Sequence, residues 1–153
     1  MLMTVEIPQL NNAFAQFSKM QSSKLLYVMV NTRVKTKFVQ NQGGRLSNPP
    51  PGTVLDHSVV KDNSYEFYMI PTSCRQGVPT PVHYSILSDN TGADPKDVQL
   101  MMYKLSHMYY NYNGPVKIPA PMKYSTRLAT TLAENGTPVP HAHFDSIKGL
   151  YYI

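Results

Sequence analysis

The sequence predicts an α/β fold, with strands in its first half and two helices late in the chain. Three observations carry this. Apolar runs of strand length recur at "LLYVMV" (25–30), "YEFYMI" (65–70) and "VHYSILS" (82–88). Two later segments open on proline and continue with helical spacing. The 153 residues are 42% hydrophobic and only 15% charged, which suits one packed core rather than disorder. At that length the chain is one domain or part of one.

Each element has its own local cause. Pro8 can open a helix, and Leu10, Ala13, Phe14 and Phe17 then follow helical spacing, which predicts an amphipathic helix over 8–18. "LLYVMV" reads as a buried strand. "RVKTKFV" (33–39) alternates, with Arg33, Lys35 and Lys37 on one face and Val34, Thr36 and Phe38 on the other. "QNQGGRLSNPPPGT" (40–53) reads as a loop, because paired glycine and triple proline exclude regular structure. The strands at 65–70 and 82–88 are joined through "CRQGVPTP". A helix follows at 95–110, with Asp94 as N-cap, Pro95 as first residue and Asp97 at its positive end. Val98, Met101, Met102, Leu105 and Met108 are its expected buried stripe, a core role for methionine. After the turn "NYNGP", the run beyond Pro121 reads as a second helix. Its start should offer unpaired N–H groups and a positive dipole end, with Lys123 and Arg127 four apart on one face. Such a helix start suits a phosphate.

The chemistry-bearing residues favour binding over catalysis. The net charge of +5 favours an anionic partner. Arg33, Lys35 and Lys37, spaced about 7 Å apart along one strand face, make a ladder suited to a nucleic-acid backbone. A solvated edge strand protected by charge is the competing reading. Asp56 and His57 are adjacent, so on a strand they would face opposite ways. His83 and His107 are isolated and read as satisfied core or surface residues. His141 and His143 share a strand face without the Cys or carboxylate partners of a zinc site. Cys74 is beside Arg75, but no orienting His–Asn set accompanies it. No Walker loop or dinucleotide glycine motif is present. Several of the 11 tyrosines lie in "HMYYNYN", beside the basic helix, where they could stack on bases or fill a core. The single cysteine excludes an internal disulfide and fits a reducing compartment, the cytoplasm or the nucleus. No signal peptide is expected at "MLMTVEIPQL", and the longest apolar run is too short to span a bilayer.

Linked motifs then add a specific resemblance. "PPPGTVLDHSV", "FYMI", "RQGVPTPVHYSIL", "QLMMYKLSHMYYNYNGPVKIPAPMKYSTRLA" and a terminal "LYYI" occur in the order found at the C-terminal end of Argonaute/Piwi proteins. From about residue 5 to 153 the chain resembles the C-terminal half of the PIWI domain. "HMYYNYNGPVKIPAP" and the aromatic tail look more like the Piwi branch. The resemblance implies a partial RNase H-like fold, a mixed sheet with late helices, over 1–153. It implies guide-RNA binding within a small-RNA silencing protein.

By position, Arg33 and Lys37 match basic residues that contact guide phosphates, and Gln76 matches the Gln of a turn along the seed. Tyr109, Lys117, Lys123 and Tyr124 match positions near the first guide nucleotides. Arg127 rests only on its spacing from Lys123. Asn111 stands where Argonautes have Arg and Piwi relatives have Asn, and Thr131 stands where Argonautes have another Arg. Slicing relatives use an Asp, Glu, Asp and His tetrad around two divalent metals. The family's "YAH" is "YST" here, so Thr126 occupies the His position and no slicing is expected from this chain. In Piwi relatives the final carboxylate, here Ile153, helps hold a metal at the guide 5′ phosphate. The chain itself requires no cofactor, and Mg²⁺ belongs to a full-length context. Expected partners are single-stranded guide RNA and, alternatively, tryptophan-bearing silencing partners, with no membrane. The two competing readings are a protein-interaction remnant without RNA binding and a fragment of a longer slicing protein.

Overall fold

The computed structural model describes residues 2–17 and 24–136. A π-helical turn at Leu2–Glu6 runs into α1 (Ile7–Phe17), where Pro8 takes the second position. Six strands follow: β1 (Leu26–Asn31), β2 (Gln40–Gln42), β3 (Arg45–Ser47), β4 (Thr53–Leu55), β5 (Glu66–Ile70) and β6 (Val82–Asp89). Two helices close the described chain, α2 (Pro95–Ser106) and α3 (Ala120–Glu134). Residue 18 of the predicted first helix, and the tail with His141, His143 and Ile153, lie outside the described residues.

The main sheet has the order β1-β6-β5-β4. Its three pairings are antiparallel, so this piece carries the antiparallel part of the mixed sheet expected. Register places Val30 opposite Tyr84, Tyr84 opposite Phe67, Met69 opposite Val82 and Val54 opposite Met69. The period of two then puts all of these on one face. Phe67, Met69, Val82 and Tyr84 are 0% exposed there, and the Phe67 and Tyr84 rings stack with centroids 4.8 Å apart. Burial of each such side chain contributes roughly 1.5–3 kcal/mol. α2 covers this face through Met102, Tyr103 and Leu105. On the opposite face His83 stacks on Tyr68 at 4.5 Å and meets the Glu66 carboxylate at 3.2 Å. His83 is thus a satisfied residue, as its isolation suggested. His107 is satisfied too, through the Tyr103 carbonyl at 3.0 Å.

Several expectations change: β1 is an edge strand of the described sheet with no fully buried residue, and α2 ends at Ser106 rather than 110. Residues 32–39 form no strand, so the three cations are not a ladder; the segment is tied down by Lys37, whose ammonium reaches the Val78 carbonyl and the Thr80 hydroxyl. Residues 40–53 are not all loop. Gly43 (φ 60) and Gly44 (φ 90) supply the two left-handed positions of a tight hairpin turn, so β2 and β3 pair across them. The buried stripe of α2 is Val98, Gln99, Met102 and Ser106, while Met101 and Met108 are 41% and 63% exposed. α2 carries apolar residues over more than one face, and a polar pairing helps choose the inner one: the Gln99 amide donates to Asp56 at 2.9 Å. Asp56 and His57 do meet, at 2.6 Å, because β4 ends at Leu55 and strand alternation no longer applies.

The predicted start of α2 holds. Asp94 is extended, and its carboxylate accepts the Lys96 N–H at 2.8 Å.

Candidate nucleic-acid interface

The last two helices and the turn between them build the site. Ser106 ends α2 and accepts the Val116 N–H at 2.8 Å, which closes the intervening segment into a compact excursion. Tyr124 on α3 pins that excursion: its hydroxyl accepts the Tyr110 N–H at 2.8 Å. The Tyr109 and Tyr124 rings pack at 5.2 Å, and the Lys123 ammonium sits 6.0 Å from the Tyr109 ring centre. That distance is the outer limit of a cation–π contact, so the ring orients the ammonium without neutralising it.

α3 begins at Ala120, two residues earlier than expected, and Pro121 takes the second position. The Pro119 carbonyl accepts both the Met122 N–H at 3.0 Å and the Lys123 N–H at 3.3 Å. The helix start is therefore less open to an anion than the sequence suggested, because Pro121 has no N–H and the next two are engaged. Any grip at this end falls to side chains.

Those side chains line a cleft of about 490 Å³, between the start of the β5–β6 connection and the 109–117 excursion. Tyr109, Asn111, Lys117 and Lys123 all face it, and among the described residues no carboxylate does. Thr72 and Ser73 form the other wall. Sequence reasoning missed both; the only signal was their place just beyond β5, where a strand end hands the chain to a site. Lys117 is half-buried and donates to the Thr32 carbonyl at 3.1 Å, which anchors the chain leaving β1. Lys123 is exposed, and Arg127 is exposed one turn further along α3.

Gln76 lies elsewhere on the same β5–β6 connection, which Lys37 reaches from the segment after β1. Gln76 is exposed, and its carbonyl accepts the Cys74 thiol at 2.6 Å. Asn48 donates to the Gly77 carbonyl at 2.8 Å, and Lys37 holds the 78–80 backbone beyond it. Arg33 is exposed, with its N–H on the Asn31 side chain at 2.9 Å. Thus the structure gathers Tyr109, Lys117 and Lys123 in one cleft, sets Tyr124 behind it, and leaves Arg33, Lys37 and Gln76 outside its lining.

The residues at hand do not suit the His position of a two-metal centre. The Thr126 hydroxyl donates to the Met122 carbonyl at 2.8 Å, a bond within the helix, and a neutral hydroxyl is a weaker cation ligand than an imidazole. Among the described residues no group of three or more His, Cys, Asp or Glu side chains could hold a metal ion. Nor is any described helix long and apolar enough to cross a membrane.

A sheet backed by proline-opened helices, with a cation- and tyrosine-lined cleft beside it, defines part of an RNase H-like lobe of the Argonaute/Piwi class. The chain belongs to the Piwi domain family, matching it over residues 1–137. It is 35% identical over 148 residues to Piwi-like protein 1 of Danio rerio, a match covering 97% of this chain and 17% of that protein. Its fold superposes on the crystal structure of Drosophila Piwi with a TM-score of 0.81 at 29% identity, covering 99% of this chain and 21% of that one. Kluyveromyces polysporus Argonaute, solved with a guide RNA, shares the fold with a TM-score of 0.77 at 19% identity, covering 99% of this chain and 22% of that one. The chain thus spans about a fifth or less of the length of these relatives.

Proposed function

We propose that this chain supplies part of the guide-RNA grip of a small-RNA silencing protein of the Piwi type, and does not itself cleave RNA. The observation that carries the reading is the convergence of Tyr109, Asn111, Lys117 and Lys123 on one cleft that no described carboxylate lines. A phosphate entering there meets the Lys123 ammonium, the Asn111 amide and the Thr72 and Ser73 hydroxyls, while an adjacent base can lie on a tyrosine. Lys117 serves mainly to fix the wall, since its ammonium is already bonded to Thr32. Kluyveromyces polysporus Argonaute, with the same fold, holds a guide RNA, which supports this choice of ligand. Mg²⁺ at the guide 5′ phosphate, with the Ile153 carboxylate as one ligand, belongs to the proposal for a longer context.

A second reading, docking of tryptophan-bearing silencing partners, draws on a different surface. Leu100 and Met101 on α2 and Met108 just beyond it are exposed together, at a groove of about 400 Å³. Titration of labelled single-stranded RNA into the chain, over a range of salt, separates the two. Salt-dependent binding weakened by Lys123→Ala supports the grip. Absence of RNA binding, with retention of tryptophan-bearing peptides that Met101→Asp abolishes, would replace it with the docking reading.

A further inference from the structure

A second recess lies away from the cleft, where the 38–40 segment crosses beside β4. It holds about 380 Å³ and is lined by Phe38, Val39, Gln40, Pro49, Pro50 and Leu55. Its walls are flat and apolar. The Phe38 ring is held edge-on by Tyr68, with centroids 5.5 Å apart at 68°, so it presents a fixed surface. Pro49 is buried, whereas Val39 is 50% exposed at the rim. The Thr53 hydroxyl is bonded to the Pro50 carbonyl at 2.7 Å, which leaves the Gln40 side chain as the polar group at the mouth.

Charge says what kind of occupant this place accepts. From 32 to 55 the sequence has Arg33, Lys35, Lys37 and Arg45 and not one Asp or Glu. The carboxylates bordering it are committed: Glu66 on β5 meets His83 at 3.2 Å, and Asp56 after β4 is held by Gln99 and His57. An apolar slot built on a segment with four cations and no carboxylate suits a ligand that is flat and apolar at one point and anionic beside it. Single-stranded nucleic acid has that chemistry, with a base for the slot and phosphates for the cations.

We propose that this recess receives one nucleobase of the bound single strand, stacked against Phe38 and the proline wall, with the adjoining phosphates on Arg33 and Lys35. This rests on the RNA-binding reading above and adds a base-holding place to a phosphate-holding one. The slot offers a single polar side chain at its mouth, so it holds a base by its face and discriminates little between bases.

The test compares a labelled single-stranded RNA with an abasic ribose-phosphate strand of equal length, on the full chain and on two variants. Phe38→Leu keeps the apolar volume but removes the ring, and Val39→Ser alters only the exposed rim. Each should weaken the base-bearing RNA, Phe38→Leu by about fivefold or more, the lower end for one stacked base. Neither should alter the abasic strand. A 2-aminopurine base in the RNA should lose fluorescence on binding the unaltered chain and keep it with Phe38→Leu. If RNA binds, Lys123→Ala weakens it and the Phe38 and Val39 variants do not, the recess proposal fails while the cleft reading stands. Equal weakening of both strands overturns it too, as does an apolar peptide that binds the recess while RNA does not. Failure of RNA to bind at all overturns both readings.

Discussion

Removing the Lys123 ammonium should change affinity for single-stranded RNA in a salt-dependent way. Lys123 is exposed, and its Nζ lies over the Tyr109 ring at 6.0 Å, within a cleft that no described carboxylate lines. Two unit charges at 4 Å interact with about 1 kcal/mol in water and about 4 kcal/mol at an effective dielectric of 20. The exposure of Lys123 argues for the lower end, about 1 kcal/mol, or roughly fivefold in affinity at low salt. Losing one phosphate contact should flatten the slope of log K against log salt by about 0.7 for a single strand. Over a fourfold rise in salt, that shrinks the difference between Lys123→Ala and the unaltered chain by about 2.5-fold. Lys123→Arg keeps the charge and should keep the slope. Lys96→Ala, on the first turn of α2 and outside the cleft lining, should change neither. Base preference should be untouched, because phosphates carry no base identity. Fluorescence anisotropy with labelled RNA of several sequences, at four or more salt concentrations, reads all of these quantities. An unchanged slope in Lys123→Ala, or a base-dependent loss, would refute the phosphate grip.

Three further outcomes are expected. With guide, complementary target and Mg²⁺ or Mn²⁺, the chain should yield no guide-directed product on a sequencing gel; a discrete cut opposite the guide would contradict the reading of Thr126. Burial first, then the nearby carboxylates of Asp56, Asp94 and Asp89, pushes the Tyr65 hydroxyl up to about 12, and burial pushes Tyr84 up as well. A raised folded-state value means a contribution complete below the unfolded value near 10 and lost as pH rises toward 12, so denaturant midpoints should fall across that window. Tyr65→Phe should flatten that fall, and an unchanged profile would count against the assignment. Gly52 has φ +88, and an added Cβ would stand 3.3 Å from the Tyr103 ring, so Gly52→Ala should cost about 1 kcal/mol or more in chemical denaturation. A neutral result there would show that the turn relaxes.

The amino-acid sequence alone determined the elements whose causes are local. The apolar runs at 65–70 and 82–88 became β5 and β6, and Asp94 with Pro95 started α2, because alternation, capping and proline geometry act within a few residues. The linked motifs through "PAPMKYSTRLA" identified the family for a similar reason, since their order along the chain is itself the signal. Charge spacing misled where it assumed a strand. Arg33, Lys35 and Lys37 alternate, but Lys37 is captured by the Val78 and Thr80 backbone and side chain, more than forty residues away. Helical spacing could not choose which face of α2 turns inward, because Leu100 and Met101 are as apolar as Met102 and only the sheet and the Gln99–Asp56 bond decide. The cleft itself was a tertiary product. Tyr109 and Lys123 were visible as residues, but Thr72 and Ser73 face them only once β5 has been paired and α3 docked. Pairing between distant segments depends on register and packing, which no short window of residues contains.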